Sequence, residues 1–154
     1  GRDYGRLSGR RYGLAEKYYL DDAEFGIIAM GSAAGTAKDV IDRLRAQGKR
    51  LGLLKLRVFR PFPAQAVAEA VSHLKALAVL DRASSPGAIG GPSFIEVTSA
   101  LYLQNAVVPV LPCIYGLGGR EFGPELVERV YQELPAIVGD GRQLLPVRYL
   151  GVRE

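Results

Sequence analysis

Apolar positions along the chain fall into short continuous runs separated by amphipathic stretches, the two spacings that strands and helices impose. The densest run is Leu51-Gly-Leu-Leu-Lys-Leu-Arg-Val-Phe-Arg-Pro-Phe-Pro63. It predicts a strand from Leu51 to about Phe59, apolar on both faces as a central parallel strand must be. Lys55, Arg57 and Arg60 crowd its carboxyl end. Pro61 draws Arg60 toward an extended backbone, and Pro63 suits the first turn of the next helix, where its missing N–H costs nothing. The carboxyl edge of such a strand is where α/β folds place ligands or partners.

The rest of the chain alternates around this run. Phe25 to Met30 is a second apolar run and stops at Gly31-Ser-Ala-Ala-Gly-Thr36, a small-residue turn opening a helix. In that helix Ala37, Val40, Ile41 and Leu44 recur at i, i+3, i+4 and i+7, and Gly48 ends it. After Pro63, the residues Ala64, Val67, Ala68, Val71 and Leu74 share a helical face, and Ala76 to Leu80 is a buried strand closing on Asp81-Arg82. Ser93-Phe-Ile-Glu96 reads as a capping box, in which Ser93 accepts from the N–H three residues on and Glu96 reaches back. The helix it opens, to about Leu103, is apolar on more than one side, so both the sheet and a partner are expected to cover it. Val107 to Ile114 is a fourth strand, placed toward an edge by Pro109 and Pro112. A turn at Tyr115–Arg120 precedes a last helix from Gly123-Pro124, with Leu126, Val130 and Leu134 on one stripe. From Pro135 the chain reads as loop, with a weak edge strand within Leu144–Leu150. This alternation calls for a parallel sheet with right-handed crossovers. Residues 1–20 show neither period and are expected to form an extended lead-in or linker, docked by Tyr18 and Tyr19, ahead of an α/β domain over 21–154.

Composition narrows the class. A chain of 154 residues fits one domain with a real core, and 48% hydrophobic with 23% charged residues is ordinary for a soluble globular protein. No apolar run approaches the roughly 18 residues of a membrane span, so no membrane association is expected. The net charge is +4, and Gly1 to Tyr19 holds +3 of it through Arg2, Arg6, Arg10, Arg11 and Lys17 against Asp3 and Glu16. A basic leader without a groove-reading motif reads as a solvated tail, and no nucleic-acid partner is expected. The single Cys113 excludes an internal disulfide and fits a reducing cytoplasm. One cysteine and one histidine also cannot supply a cysteine-held iron–sulfur cluster or the usual four ligands of structural zinc, so no metal site is expected. With neither an initiator Met nor a signal-peptide pattern, the sequence is expected to be part of something longer.

Candidate chemistry is sparse. The Gly31–Thr36 loop, with Ser32, Gly35 and Thr36, is either a plain tight turn or a cradle that turns backbone N–H groups on a phosphate; it lacks the Lys-Ser/Thr ending and the third glycine of the nucleotide motifs. Arg57 and Arg60 can clamp a carboxylate or phosphate, or pair with acids across a domain interface. Asp81 and Arg82 are the edge of a site or a local ion pair. His73 reads as a helix-end residue facing the dipole rather than a base. No nucleophile has an evident histidine partner and orienting acid, so no catalytic residue is assigned.

Four segments together carry a resemblance: Glu24-Phe-Gly-Ile-Ile-Ala-Met-Gly-Ser-Ala-Ala-Gly-Thr36, Gly52–Pro63, Ala78-Val-Leu-Asp-Arg82 and Ile114-Tyr-Gly-Leu-Gly-Gly-Arg120. The chain from about Arg11 to Leu134 resembles the alpha subunit of the pyruvate (2-oxoacid):ferredoxin oxidoreductases, in the domain that is similar to the C-terminal domain of transketolase. The resemblance implies a three-layer α/β/α fold with a mostly parallel open sheet of about five strands. It also implies a parent enzyme that decarboxylates a 2-oxoacid oxidatively to an acyl-coenzyme A and reduces ferredoxin, using thiamine diphosphate, Mg and iron–sulfur clusters. In that family those groups lie in other domains or subunits, so this chain is expected to be a structural and interface domain, inactive alone, with Tyr12-Gly-Leu as a linker. Arg57, Arg60, Arg82 and Arg120 are then candidate contacts to neighbouring domains. Two other readings remain open: a free-standing module holding the phosphates of coenzyme A or a nucleotide at the Gly31–Thr36 loop, and an interaction protein working through its basic leader.

Overall fold

The computed structural model describes residues 2–9, 12–139 and 144–152. Arg10 and Arg11 of the basic leader lie outside the described residues. The apolar runs pair into one sheet of six strands: β1 (Ala15–Tyr18), β2 (Phe25–Met30), β3 (Leu51–Leu56), β4 (Ala76–Asp81), β5 (Val110–Ile114) and β6 (Arg148–Tyr149). Their spatial order is β1-β3-β2-β4-β5-β6, and only β1 runs antiparallel to its neighbour. The helices are α1 (Arg2–Ser8), α2 (Ala33–Arg45), α3 (Ala64–Val71), α4 (Pro92–Leu103) and α5 (Pro124–Glu133).

Strict alternation along the buried strands divides the core in two. Ile27, Ala29, Leu53, Ala78, Leu80 and Leu111 point to the face covered by α2 and α5. Ile28, Leu54, Leu56, Leu77 and Val79 point to the face covered by α3 and α4. The result is the three-layer α/β/α arrangement, with β2 and β4 apolar on both sides because both faces are covered. The first and second crossovers move in opposite directions and place α2 and α3 on opposite faces, as one consistent hand requires. The last crossover departs from that rule. It moves outward like those of α3 and α4, yet α5 lies on the α2 face, so its hand is opposite. Val127, Val130, Tyr131 and Leu134 cover apolar strand positions that α2 alone leaves open, and only the two-residue β6 depends on the crossover.

Three expectations need correction. The stretch over residues 1–20 is not simply extended: α1 forms at its start, and β1 pairs with β3 from Ala15↔Leu56 to Tyr18↔Leu53. No alternation announces β1, whose stability comes from distant partners. The Tyr18 hydroxyl donates to Asp42 at 2.7 Å, and Glu16 is held between Lys38 and Arg57. Second, β3 is therefore one strand from the edge rather than central, and it stops at Leu56, beyond which the Arg57 and Val58 N–H groups both turn to the Leu14 carbonyl. Third, the Ser93–Glu96 capping box does not form. Gly91 occupies the N-cap of α4, Ser93 lies inside the helix and is buried, and Glu96 pairs with Arg60 instead.

The prolines of β5 are accommodated by strand parity. The Pro109 carbonyl accepts from Leu77, and the Ile114 carbonyl accepts from Leu150, so odd positions face β4 and even ones face outward. Pro112 thus turns its missing N–H away from β4, at a level where β6 has not begun.

Candidate functional site

In the parallel part of the sheet, the chain leaves β2 for β3 on one side and then returns past it to β4 on the other. Such a reversal opens a crevice at the carboxyl ends of the two strands, the place where doubly wound sheets bind ligands. Here it is a cleft of about 330 Å³ lined by Ser32, Ala33, Thr36, Arg82, Tyr115, Gly119, Arg120, Glu121, Phe122 and Gly123.

The turn out of β2 sets one wall. Gly31 takes a left-handed backbone (φ 61°), open to glycine without penalty, and delivers the chain directly into α2. Ser32 stands at the N-cap, yet its hydroxyl caps nothing, and its carbonyl accepts from Gly35 and Thr36. The β4 exit supplies Arg82, which is exposed and has no ion pair among the described residues. The β5 exit supplies Tyr115, whose ring packs on Phe122 with centroids 4.4 Å apart and is only 7% exposed. Burial pushes its hydroxyl above the ordinary tyrosine range. Arg120 is anchored from behind by donating through Nη1 to the Gly151 carbonyl at 2.6 Å.

The structure thus brings Ser32, Thr36, Arg82 and Arg120 into one cleft, flanked by Gly31 and Gly35. It does not bring Arg57 and Arg60 there. Arg57 pairs with Glu16 and lies over the Tyr12 ring, 5.3 Å from its centroid. Arg60 pairs with Glu96 at 2.6 Å and stacks on Phe59. Both guanidiniums have partners within the chain. Asp81 is 5% exposed and serves the fold: its two carboxylate oxygens accept from the N–H groups of Ser93 and Phe94. Sequence reasoning passed over Tyr115. Its signal was its position, the residue immediately after an apolar strand and before a glycine-rich turn.

A second surface is apolar. A groove of about 580 Å³ along α4 is lined by Phe94, Thr98, Leu101, Tyr102, Val107 and Leu144 among others, without one charged side chain. At its margin Tyr102 and Leu103 are 81% and 70% exposed. The sheet covers one side of this helix, and the groove leaves the other open.

The cleft can bind but is poorly equipped for bond making. Among the described residues no group of three His, Cys, Asp or Glu side chains could hold a metal ion. Cys113 is enclosed in β5, and burial pushes its thiol up to about 12, so it is neither a nucleophile nor a cluster ligand. His73 bonds through Nε2 to the Leu20 carbonyl at 3.0 Å, is not among the residues lining the cleft, and makes no pair with a nucleophile. The described residues therefore do not fit an iron–sulfur cluster or a magnesium-bound diphosphate. No described helix is long and apolar enough to cross a membrane.

Comparison with known proteins bears on the family and the fold. Residues 23–127 match the family described as pyruvate:ferredoxin oxidoreductase core domain II. Pyruvate synthase subunit PorA of Methanosarcina barkeri is 43% identical over 138 residues, covering 90% of this chain and 34% of that protein. Ketoisovalerate oxidoreductase subunit VorA of Pyrococcus abyssi is 40% identical over 144 residues, covering 92% of this chain and 36% of that protein. The chain thus spans about a third of the length of these curated relatives. Among solved structures, a split-gene transketolase in an inactive β4 tetramer superposes with a TM-score of 0.65 at 15% identity, over 84% of this chain and 44% of that one. That likeness is one of fold, and it agrees with the transketolase-like sheet expected from the sequence.

Proposed function

The chain belongs to the pyruvate:ferredoxin oxidoreductase core domain II family, and on that premise we propose that it is the interface domain of an enzyme that decarboxylates a 2-oxoacid oxidatively. In that reading the whole enzyme forms an acyl-coenzyme A and passes electrons through iron–sulfur clusters to ferredoxin in the cytoplasm. Thiamine diphosphate, its magnesium and the clusters are held elsewhere, since the residues here do not fit them. The part played by this chain is to pack against neighbouring domains or subunits and to hold its own carboxyl edge toward them.

The observation that carries the proposal is the charge-free groove along α4, rimmed by Tyr102 and Leu103. Exposed apolar side chains gathered along one helix, rather than scattered singly, support an interaction site. Relatives of nearly equal similarity are named for pyruvate and for ketoisovalerate. That breadth supports assigning the choice of 2-oxoacid to other parts of the enzyme.

The test is reconstitution. The chain alone is expected to fold and to show no pyruvate-dependent reduction of a viologen dye with coenzyme A. Within the assembled enzyme, Tyr102→Asp is expected to weaken association and reduce activity together. Turnover by the isolated chain, or an assembled Tyr102→Asp enzyme of unchanged stability and activity, overturns the proposal.

A further inference from the structure

The cleft at the switch point contains more hydrogen-bond donors than the fold uses. Arg82 is exposed and has no ion pair, and the hydroxyls of Ser32 and Thr36 make no hydrogen bond among the described residues. Tyr115 is the telling residue. The residue is 7% exposed, its hydroxyl has no hydrogen-bond partner among the described residues, and no buried side-chain oxygen or nitrogen there is left unsatisfied. The hydroxyl is therefore reached by solvent although the ring is enclosed, and Tyr115 lines the cleft. Water or a ligand in the cleft can supply the partner that an enclosed tyrosine's hydroxyl normally finds.

We propose that the N-terminus of α2 with Ser32 and Thr36, facing Arg82, Arg120 and the Tyr115 hydroxyl, is a binding site for a phosphate monoester of a small molecule. The donor count selects the ligand. A carboxylate has two oxygens and is satisfied by one guanidinium fork, whereas this lining offers two guanidiniums and three hydroxyls beside a helix start. Three terminal phosphate oxygens, each able to accept more than one hydrogen bond, use more of these donors than a carboxylate does. The one acidic side chain in the lining, Glu121, stands against two arginines, so the site keeps a net positive charge. Its volume of about 330 Å³ exceeds what inorganic phosphate fills and lies near the lower limit of small-molecule pockets, about 300 Å³. The Tyr115–Phe122 ring pair supplies an apolar wall for the remainder of the molecule.

The site does not depend on the oxidoreductase reading, because binding is measured on the chain alone and assembly on the whole enzyme. The isotopically labelled 154-residue chain is titrated with inorganic phosphate at constant ionic strength and followed by amide NMR, with acetate in parallel. Phosphate is expected to give saturable shifts at Ser32–Thr36 and at Tyr115–Arg120, and acetate a weaker response. Arg82→Ala is expected to weaken phosphate binding about tenfold, the loss of one charge-assisted hydrogen bond. Tyr115→Phe keeps the ring packing and is expected to weaken binding by a smaller factor while leaving the spectrum folded. Shifts that rise linearly without saturation, an equal response to acetate, or an unchanged midpoint in Arg82→Ala each overturn the proposal.

Discussion

Asp81, the last residue of β4, caps helix α4 from across the loop: its carboxylate accepts from the Ser93 N–H at 2.8 Å and from the Phe94 N–H at 3.0 Å. A charged acceptor at a helix N-terminus satisfies two orphan donors and complements the helix dipole. Because the pair is buried, Asp81→Ala leaves both N–H groups without a partner. The expected cost is about 1–3 kcal/mol, read as a lower urea midpoint with an unchanged slope. Asp81→Asn keeps an acceptor and is expected to lose less.

Gly52 is irreplaceable for a different reason. A Cβ there would stand 2.7 Å from the Tyr19 carbonyl oxygen and 2.8 Å from the Leu20 Cα, both backbone atoms that no rotamer change can move. Gly52→Ala is expected to push the segment after β1 away from β3, at a cost of about 1–3 kcal/mol. Hydrogen exchange measures it: protection should fall first in Ala15–Tyr18, with β2 and β4 little affected.

The grip on β1 is also pH-dependent. The Lys38 hydrogen bond, with the nearby Arg57 charge, holds the Glu16 carboxyl below the usual carboxylate range. A folded-state value below the unfolded one contributes stability that is present above the unfolded value and is lost as pH falls through the folded one. Thermal melts on the acid side are expected to show the advantage of the natural chain over Glu16→Gln shrinking as pH drops, and constant at neutral pH. A difference independent of pH would refute the assignment.

Cys113 is expected to be inert. With its thiol at about 12 and its side chain enclosed in β5, the thiolate fraction near pH 8 is about one in ten thousand. Mass spectrometry after treatment with N-ethylmaleimide should find the folded chain unmodified and the urea-unfolded chain modified once.

Much of the fold was legible because burial on two faces leaves a mark in sequence. The runs at Phe25, Leu51, Ala76 and Val107 and the helical stripes between them are local patterns, and strands and helices formed within them, the fourth strand starting only at Val110. The site was half legible. Ser32, Thr36, Arg82 and Arg120 could be singled out as polar residues following strands or turns, while nothing in the sequence separated them from Arg57 and Arg60. Only the partners do so, Glu16 and Glu96, which lie 41 and 36 residues away.

The sequence by itself determined the alternation of strand and helix and the family resemblance, because each is a property of residue type and local spacing. Tertiary structure alone decided that β1 joins the sheet edge, that Asp81 rather than Ser93 caps α4, that α5 folds back beside α2, and that Tyr115 lines one cleft with two arginines at the switch point. Those outcomes depend on which distant groups satisfy one another, and hydrogen bonding over long separations leaves no period in the chain to read.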